Sequence, residues 1–439
     1  MIPSSVRSKF YATLMETKEN LDSYVNNPGS DMTRNRCCNF LDTILAILCL
    51  SMNRTNTELF NYFGIKRHIH TKSAFTQQRQ KFNVELFPSL LKAFNQKVPF
   101  TKTYEGFHLV AIDGSDINLP TDKKDKIYCV KQARSDSCYY QMHINVLFDI
   151  CENRYISMIP QPRPEMNENK AFCTLLDGCT MPENTIFIAD RGYATLNTMA
   201  NLIERDRFFL IRCKGPSSSG SFLRYLVPSD EEFDRPITIG VTRSRKKMYL
   251  KHPDTTKVLG HNRTFDYIEP DDKTTVYNMS FRCVCVKLSE DTYEYLLTNL
   301  PKEKFSTNGL KALYWKRWAI ETSFRSIKYA LSLVYLHSVK RELIIQEVYA
   351  KLLLYNLTSL IHSYVQNSKE LVEKCKNRNK EYKVSFDDAV PVVREFLKSK
   401  ISNKKVKALL LMHLTVIDEK ANHPRKMRSQ TVKPLNNRA

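Results

Sequence analysis

The sequence predicts an α/β protein in which a core of strands and helices is interrupted by a β-rich insertion and flanked by helical regions. Three observations support this fold class. Two short apolar runs, each typical of a buried strand, end in Asp113 and Asp190. A cation-rich helical pattern far downstream carries Glu321. Between these features, residues 214–300 alternate apolar and polar side chains, which favours strands.

Composition limits the class of protein before any motif is considered. The 67 Lys and Arg residues outnumber the 46 Asp and Glu residues and leave a net charge of +21, which predicts a polyanionic partner. No stretch reaches the roughly 18 apolar residues of a membrane-spanning helix, and the N-terminus lacks a signal-peptide pattern. We therefore expect no membrane association and a cytoplasmic, nucleoid-associated protein. Twelve cysteines without a C-x2-C pair predict reduced thiols.

Residues 1–106 form the first expected domain, which is helical. Apolar periodicity runs through residues 40–52, and two short segments at 59–63 and 72–82 follow. These two segments allow two interpretations: a helix-turn-helix that reads DNA, or a small helical bundle with a polar surface.

From residue 107 the apolar period changes to that of strands. Strands are expected at 107–113, 141–149 and 154–160, followed by a helix at 167–176 and a strand that ends at Asp190. This order, completed by a distant acidic helix, is that of an RNase H-like core, with its first part at 107–213 and its second at 301–365. Such a sheet brings Asp113 and Asp190 opposite Glu321. Each Asp also has a plainer interpretation, because Asp beside Gly often satisfies backbone donors in a turn.

Three acids without a compensating base would be costly to ionise unless divalent cations lie among them. Carboxylate oxygens suit Mg²⁺ or Mn²⁺, so Asp113, Asp190 and Glu321 are the candidate metal ligands. Asp116 and Asp149 are the nearest other carboxylates, and we expect both to be dispensable for chemistry.

Residues 311–328 predict a single helix with one charged face. At about 100° per residue, five side chains fall within an arc of about 80°: Tyr314, Arg317, Glu321, Arg325 and Lys328. This arrangement suits chemistry on phosphates at the edge of a cleft. The alternative is a solvated face supported by ordinary ion pairs four residues apart.

The remaining segments are rich in basic residues. In the insertion, strands with basic faces around residues 243–249 favour either a solvated appendage or a surface that tracks a nucleic-acid backbone. Residues 366–439 are expected to form a C-terminal helical region and a basic tail. The last 20 residues hold six Lys or Arg and no acid, so the tail is expected to seek phosphates.

The motifs together resemble those of a known family. The chain resembles the DDE transposases of bacterial insertion sequences, in their YREK-signature family, through three motifs: Asp113-Gly114-Ser115, Asp190-Arg191-Gly192-Tyr193, and the spaced series Tyr314, Arg317, Glu321 and Lys328.

The resemblance implies an enzyme that cleaves the ends of an insertion sequence and transfers the strands into target DNA. Asp113, Asp190 and Glu321 would hold two Mg²⁺ (or Mn²⁺) ions per active site. The partners implied are double-stranded DNA, as terminal inverted repeats and target, and a second copy in a homodimer on DNA. Tyr314, Arg317 and Lys328 would contact DNA phosphates, and we expect the neighbouring Arg191 and Arg325 to contact DNA as well.

One feature departs from the family pattern. Related enzymes can stack a tryptophan of the insertion on a flipped base, whereas the only tryptophans here, Trp315 and Trp318, lie in the YREK segment. Two other functions remain open from the sequence: an RNase H-like metal-dependent nuclease, and a DNA-binding protein domesticated from a transposase. Loss of an active-site acid would mark the second, and all three acids are present.

Overall fold

The computed structural model describes residues 1–33, 38–64, 71–132, 135–229, 231–290, 292–378 and 381–417. The N-terminal part is helical, as expected. Helix α2 is buried on almost every side because nearly all of its residues are apolar, and the side chain of Asn39 caps its first turn. The helices are α1 (Pro3–Glu19), α2 (Phe40–Cys49), α3 (Thr55–Phe63), α4 (Lys72–Arg79) and α5 (Leu86–Lys97).

The central sheet begins after these helices. Its first elements are β1 (His108–Asn118), β2 (Cys129–Gln132), β3 (Ser135–Asp149), β4 (Arg154–Pro162), α6 (Glu168–Asp177), β5 (Thr185–Ala189), α7 (Leu196–Ile203) and β6 (Phe208–Cys213). Strand β3 pairs antiparallel with both β1 and β4, whereas β5 pairs parallel with β1 and β6. The order β4-β3-β1-β5-β6 confirms the RNase H-like core.

The insertion extends this sheet and is not a separate appendage. It contains β7 (Phe233–Thr242), α8 (Lys247–Leu250), β8 (Thr256–Val258), β9 (Val276–Ser289) and β10 (Thr292–Thr298). Strand β10 pairs antiparallel with β6, and the whole sheet has ten strands.

The basic part of the insertion differs from the sequence prediction. The strand expected around residue 248 is wrong, since this segment forms the short helix α8. Arg243 is buried, and its guanidinium donates to the carbonyls of Ile268, Gly260 and Arg263. It holds loops of the insertion together and cannot line a nucleic-acid surface.

A long helix joins the two ends of the chain. The elements after the insertion are α9 (Thr307–Trp315), α10 (Trp318–Lys328), α11 (Arg341–Gln366), α12 (Lys369–Arg378), β11 (Tyr382–Val384), α13 (Phe386–Leu397), α14 (Asn403–Leu410) and β12 (Leu414–Val416). Helix α11 packs against α1, α2, α5, α13 and α14 and against β4, so the N- and C-terminal regions share one apolar core. Within the described ranges, no helix is long and apolar enough to cross a membrane. The basic tail from residue 418 onward lies outside the described residues.

The single helix expected over 311–328 is wrong in one respect, because the structure divides it into α9 and α10. Lys316 and Arg317 keep helical dihedral angles. Their amides, however, donate to carbonyls three residues back, at Leu313 and Tyr314, as do the amides of Ala319 and Ile320. This bonding is that of a 3₁₀ turn, which often marks a functional position inside a helix. Arg317 therefore lies at a local tightening of the backbone.

One further expectation is wrong, and the structure favours one of two interpretations that the sequence left open. Cys129 and Cys138 form a disulfide between the neighbouring strands β2 and β3, so not all of the thiols are reduced. The spacing of nine residues gave no sign of this pairing, which results from the hairpin. In the possible helix-turn-helix, Arg79 is buried and forms an ion pair with Glu347 at 2.9 Å. It anchors α4 to α11 and cannot reach DNA, which favours the helical-bundle interpretation.

Candidate active site

Asp113 and Asp190 lie at neighbouring positions of adjacent parallel strands. The last register pair between β1 and β5 is Ile112 with Ala189, and each Asp is the next residue of its own strand. Strand β1 was expected to end at Asp113 but continues to Asn118. From Asp113 onward it pairs with β3 and no longer with β5. Both carboxylates therefore stand where the parallel pairing ends, the edge of an α/β sheet at which ligands usually bind.

Local hydrogen bonds orient the two acids. Asp113 Oδ1 accepts from the amide of Gly114 at 2.9 Å. Asp190 accepts from the amide of Arg191 and caps a short 3₁₀ turn, Arg191–Tyr193. Burial, together with the charges of Glu321 and Asp190, raises the pKa of Asp113 to about 6, against the lowering effects of the Gly114 hydrogen bond and the Arg317 charge. Asp113 therefore lies close enough to both Glu321 and Asp190 to be repelled by their charges.

Arg317 connects the two parts of the site. It is only 5% exposed. Its Nη1 donates to Asp113 Oδ2 at 3.4 Å, and its Nη2 donates to Glu321 Oε1 at 2.8 Å. Glu321 lies in the first turn of α10, so this arginine joins the helix-borne acid to a strand-borne one. The ion pair four residues apart that the sequence allowed is present, but it lies inside the acid cluster and not on a solvated face.

The other residues expected to contact DNA occupy three different environments. Tyr314 is buried beneath Arg317, whose guanidinium carbon lies 5.6 Å from the ring centre, and burial raises the pKa of Tyr314 to about 12. Arg191 and Arg325 are exposed. Lys328 is half-buried, and burial lowers its pKa against the opposing charge of Asp116. Only part of the predicted charged face is therefore open to solvent.

A buried acid that the sequence analysis missed borders the site. Glu294 on β10 is 5% exposed and forms an ion pair with Arg212 at 3.2 Å. Burial raises its pKa, the charges of Arg212 and Arg317 lower it, and that of Asp190 raises it. The only sequence signal is a glutamate within an otherwise apolar strand, which does not reveal its neighbours.

A second missed cluster contains His143, Asp116 and Glu168. His143 Nδ1 lies 2.8 Å from Asp116 Oδ1, and its Nε2 lies 3.2 Å from Glu168 Oε1. Arg163 Nε also donates to Asp116 at 3.1 Å. Asp116 thus pairs with His143 and Arg163, away from Asp113. These contacts are consistent with the expectation that Asp116 is dispensable for the chemistry. The pairing of Asp116 with His143 depends on the register between β1 and β3, which the sequence does not specify.

The chemical nature of the three acids suits a divalent cation. Two carboxylates at strand ends and one on a helix are oxygen ligands of the type that Mg²⁺ and Mn²⁺ prefer. In the described part of the chain, however, no three acidic, histidine or cysteine side chains lie close enough to hold a metal ion together. The cation between Asp113 and Glu321 is the guanidinium of Arg317. A positive charge between these acids is what a metal ion would supply.

Comparison with known proteins places the chain in a family. Residues 106–357, more than half of the chain, match the family described as the transposase DDE domain. The chain belongs to this family and is a DNA transposase, an enzyme that cleaves DNA and transfers the cut strands. A solved structure described as a cryo-EM structure of the piggyBac transposase synaptic complex with hairpin DNA is 10% identical, with a TM-score of 0.48 over 98% of this chain and 88% of that chain. No curated protein matches the sequence.

Proposed function

We propose that Asp113, Asp190 and Glu321 are the catalytic and metal-binding acids with which this transposase cuts DNA ends and joins them to a target. The observation that carries the proposal is the placement of these residues: Asp113 and Asp190 stand where the parallel pairing of β1 and β5 ends, and Arg317 links Asp113 to the helix-borne Glu321. Membership in the transposase DDE-domain family supplies the reaction class.

The three acids would hold two Mg²⁺ or Mn²⁺ ions. When bound, such ions would supply Lewis-acid activation of an attacking water or 3′-hydroxyl and charge stabilisation of the departing oxygen in displacement at a phosphodiester. The raised pKa of Asp113 and its repulsion from Asp190 and Glu321 support the proposal, because a cation removes both costs. Arg317 supplies part of that positive charge through its contacts with Asp113 and Glu321.

The residues of the YREK series would position the DNA. When Arg317 turns from the carboxylates towards a phosphate, its guanidinium can bind two phosphate oxygens at once. Tyr314 supports Arg317 from below and acts through it. Lys328, Arg325 and Arg191 would neutralise phosphates of the same DNA end.

The DNA partner proposed is the terminal inverted repeat of a bacterial insertion sequence of the YREK-signature family, together with a target duplex. A homodimer would hold two ends together, in the cytoplasm and associated with the nucleoid. Inverted repeats and a short target duplication that flank the coding sequence would support this assignment. Sedimentation of the protein with a duplex of that repeat should show two protein chains and two ends per complex.

The metal-ligand assignment is tested by removing one charge at a time. Asp113→Asn, Asp190→Asn and Glu321→Gln should each abolish cutting of the flanking repeat in Mg²⁺ or Mn²⁺, because each removes a ligand oxygen charge, while DNA binding remains. Glu183→Gln, at an exposed position before β5, is the matched control and should cut normally. Near-normal cutting by one of the three variants would remove that residue from the site.

A further inference from the structure

Side chains on the face of the sheet opposite the acids contact the backbone just after Asp113 and Asp190. Along β1, Ile112 packs in the cluster that contains residues of α6 and α7, whereas Ala111 packs in the cluster that contains residues of α10. Since side chains alternate along a strand, Gly114 and Asp116 share the face of Ile112. Asp113 points to the other face, where Arg317 and Glu321 lie.

His143 crosses directly over Gly114. A Cβ atom at Gly114 would lie 2.2 Å from His143 Nε2 and 2.9 Å from Glu168 Oε1, so only glycine leaves room for this contact. His143 is 5% exposed and is held from its other side by Asp116, its register partner on β1. Burial alone would lower the pKa of His143, but its contacts with Asp116 and Glu168 raise it to about 9. The ring is therefore positively charged at neutral pH.

Glu168 extends the same contacts to the second strand end. While Oε1 faces His143, Oε2 lies 3.5 Å from the position that a Cβ atom would take at Gly192, two residues after Asp190. The next residue, Asn169, donates to the carbonyl of Gly192 at 3.2 Å. The first turn of α6 therefore contacts β1 at Gly114, just after Asp113, and the 3₁₀ turn that follows Asp190.

Tyr193 lies near both this cluster and the acids. Its ring is 1% exposed, and its hydroxyl has no hydrogen-bond partner among the residues that the structure describes. Burial raises the pKa of Tyr193, and the charges of Glu168, Asp113 and Asp190 raise it further. The phenol thus lies near both the supporting carboxylate and the two strand-end acids.

We propose that His143 and Glu168 are positioning residues that fix β1 at Gly114 and the turn after β5 at Gly192, and thereby set the spacing of Asp113 and Asp190 that a shared metal ion requires. Neither residue is a metal ligand in this proposal. The pair acts through the backbone of Gly114 and Gly192, on the face of the sheet opposite the DNA-contacting helix. The inference rests on the proposed metal site.

The proposal predicts a loss of metal affinity without a loss of folding. Glu168→Gln and His143→Gln should each weaken Mn²⁺ binding by about 10- to 100-fold, the range found when supporting partners of metal ligands are removed. The binding of Mn²⁺ alone, followed by electron paramagnetic resonance, gives the affinity, and thermal melting reports the fold. Glu165→Gln removes the same charge at an exposed position three residues before Glu168 and should bind Mn²⁺ like the wild type.

Gly114 offers a second, independent test. Gly114→Ala should weaken Mn²⁺ binding in the wild-type background, because the new methyl group displaces the imidazole. In a His143→Ala background the methyl group meets only Glu168 Oε1, the end of a flexible side chain that can move aside, so adding Gly114→Ala should have little further effect. Equal losses in both backgrounds would show that Gly114 acts independently of His143 and would count against the pair.

The outcomes separate this inference from the proposed metal site. If the wild type has no Mn²⁺ site that Asp113→Asn removes, the proposed metal site itself fails. If that site exists and both Glu168→Gln and His143→Gln bind Mn²⁺ like the wild type, only the positioning role is overturned. Glu168 is more than a quarter exposed, so its variant should fold. If both variants failed to fold, the pair would be structural, and the positioning role would also be overturned.

Discussion

At the residue scale, Arg317 is the group on which the acid cluster depends. It is buried, and it is the cation that contacts both Asp113 and Glu321. Removing one partner of a buried ion pair is costly because the remaining charges stay unpaired. The same arginine is proposed to bind a phosphate when DNA is present, so its contacts with the acids and with DNA exclude one another.

Replacing Arg317 by Ala should make the fold depend on a divalent cation. Without Mg²⁺, Asp113 and Glu321 lose their counter-charge, and we expect the free energy of unfolding to fall by about 2 kcal/mol. Added Mg²⁺ should raise the melting temperature more in Arg317→Ala than in the wild type, where the ion competes with the guanidinium. Arg325→Ala, exposed on the same helix, is the control and should respond to Mg²⁺ like the wild type. Equal responses in all three proteins would argue against a metal site between these acids.

The exposed arginine of α10 should act only through phosphate charge. Arg325→Ala should weaken binding to any duplex by a similar factor and reduce the slope of log affinity against log salt concentration by about 1. Fluorescence anisotropy at several salt concentrations measures this slope. Lys340→Ala removes a positive charge just before α11 and serves as the comparison. An unchanged slope for Arg325→Ala would place Arg325 outside the DNA path.

At the element scale, the position of α10 depends on one buried hydrogen-bonded pair. The hydroxyl of Tyr155 on β4 lies 2.8 Å from that of Ser323, two residues after Glu321. Ser323 donates to the carbonyl of Ile320 at 2.7 Å, so it accepts from Tyr155. The acid-bearing helix is thus tied to the sheet from below.

Tyr155→Phe should loosen this attachment. Loss of one buried hydrogen bond should lower the free energy of unfolding by about 1 kcal/mol, and the freed helix should reduce the cutting rate. Tyr349→Phe is a matched control, because it removes a hydroxyl that donates to the carbonyl of Met158 on the same strand from α11. We expect a similar loss of stability there without the loss of cutting. Urea denaturation and a single-turnover cutting assay measure the two effects.

Sequence patterns predicted elements better than they predicted the contacts between them. The apolar run of β5 and the neighbouring acids follow from local composition, because a buried strand must be apolar throughout. The 3₁₀ turn at Arg317 was not predicted. Backbone hydrogen bonds to the carbonyl three residues back and to the carbonyl four residues back are compatible with the same pattern of apolar side chains. The disulfide of Cys129 and the contact of His143 with Asp116 depend on register, which the turns and the tertiary packing determine.

At the scale of the whole molecule, α11 unites the two ends of the chain through polar as well as apolar contacts. Lys351 is 1% exposed and donates to the carbonyl of Leu50, beside Arg394 of α13. Burial, with a further contribution from Arg394, lowers the pKa of Lys351 to about 7. The charges of Glu347 and Glu58 oppose this shift.

Stability should therefore rise with pH above neutrality because of Lys351. The folded pKa lies below the unfolded value of about 10.4. Below pH 7 both states are protonated, and the buried charge has its full cost. Between pH 7 and 10 the unfolded state keeps the proton that the folded state has lost, so this cost declines by about 1 kcal/mol per pH unit.

The variant Lys351→Met tests this pH dependence. Its gain in free energy of unfolding over the wild type should be greatest below pH 7 and should shrink towards pH 10, as measured by urea denaturation. Lys404→Met, exposed on α14, should show no such trend. A gain that is independent of pH would mean that Lys351 keeps its charge in the folded protein.

The pairing of β6 with β10 has a consequence for how such a chain can diverge. The chain leaves the core at Cys213 and returns beside it, since Cys213 is the register partner of Tyr295. The ends of the inserted segment are therefore already adjacent, and lengthening it adds only slowly to the entropy of loop closure. The part of the insertion that lies beyond β10 in the sheet, with strands β9, β7 and β8, can grow, shrink or be exchanged during evolution. Strand β6 then keeps its partner, and the acids keep their places. The insertion can therefore change in size without a new catalytic centre.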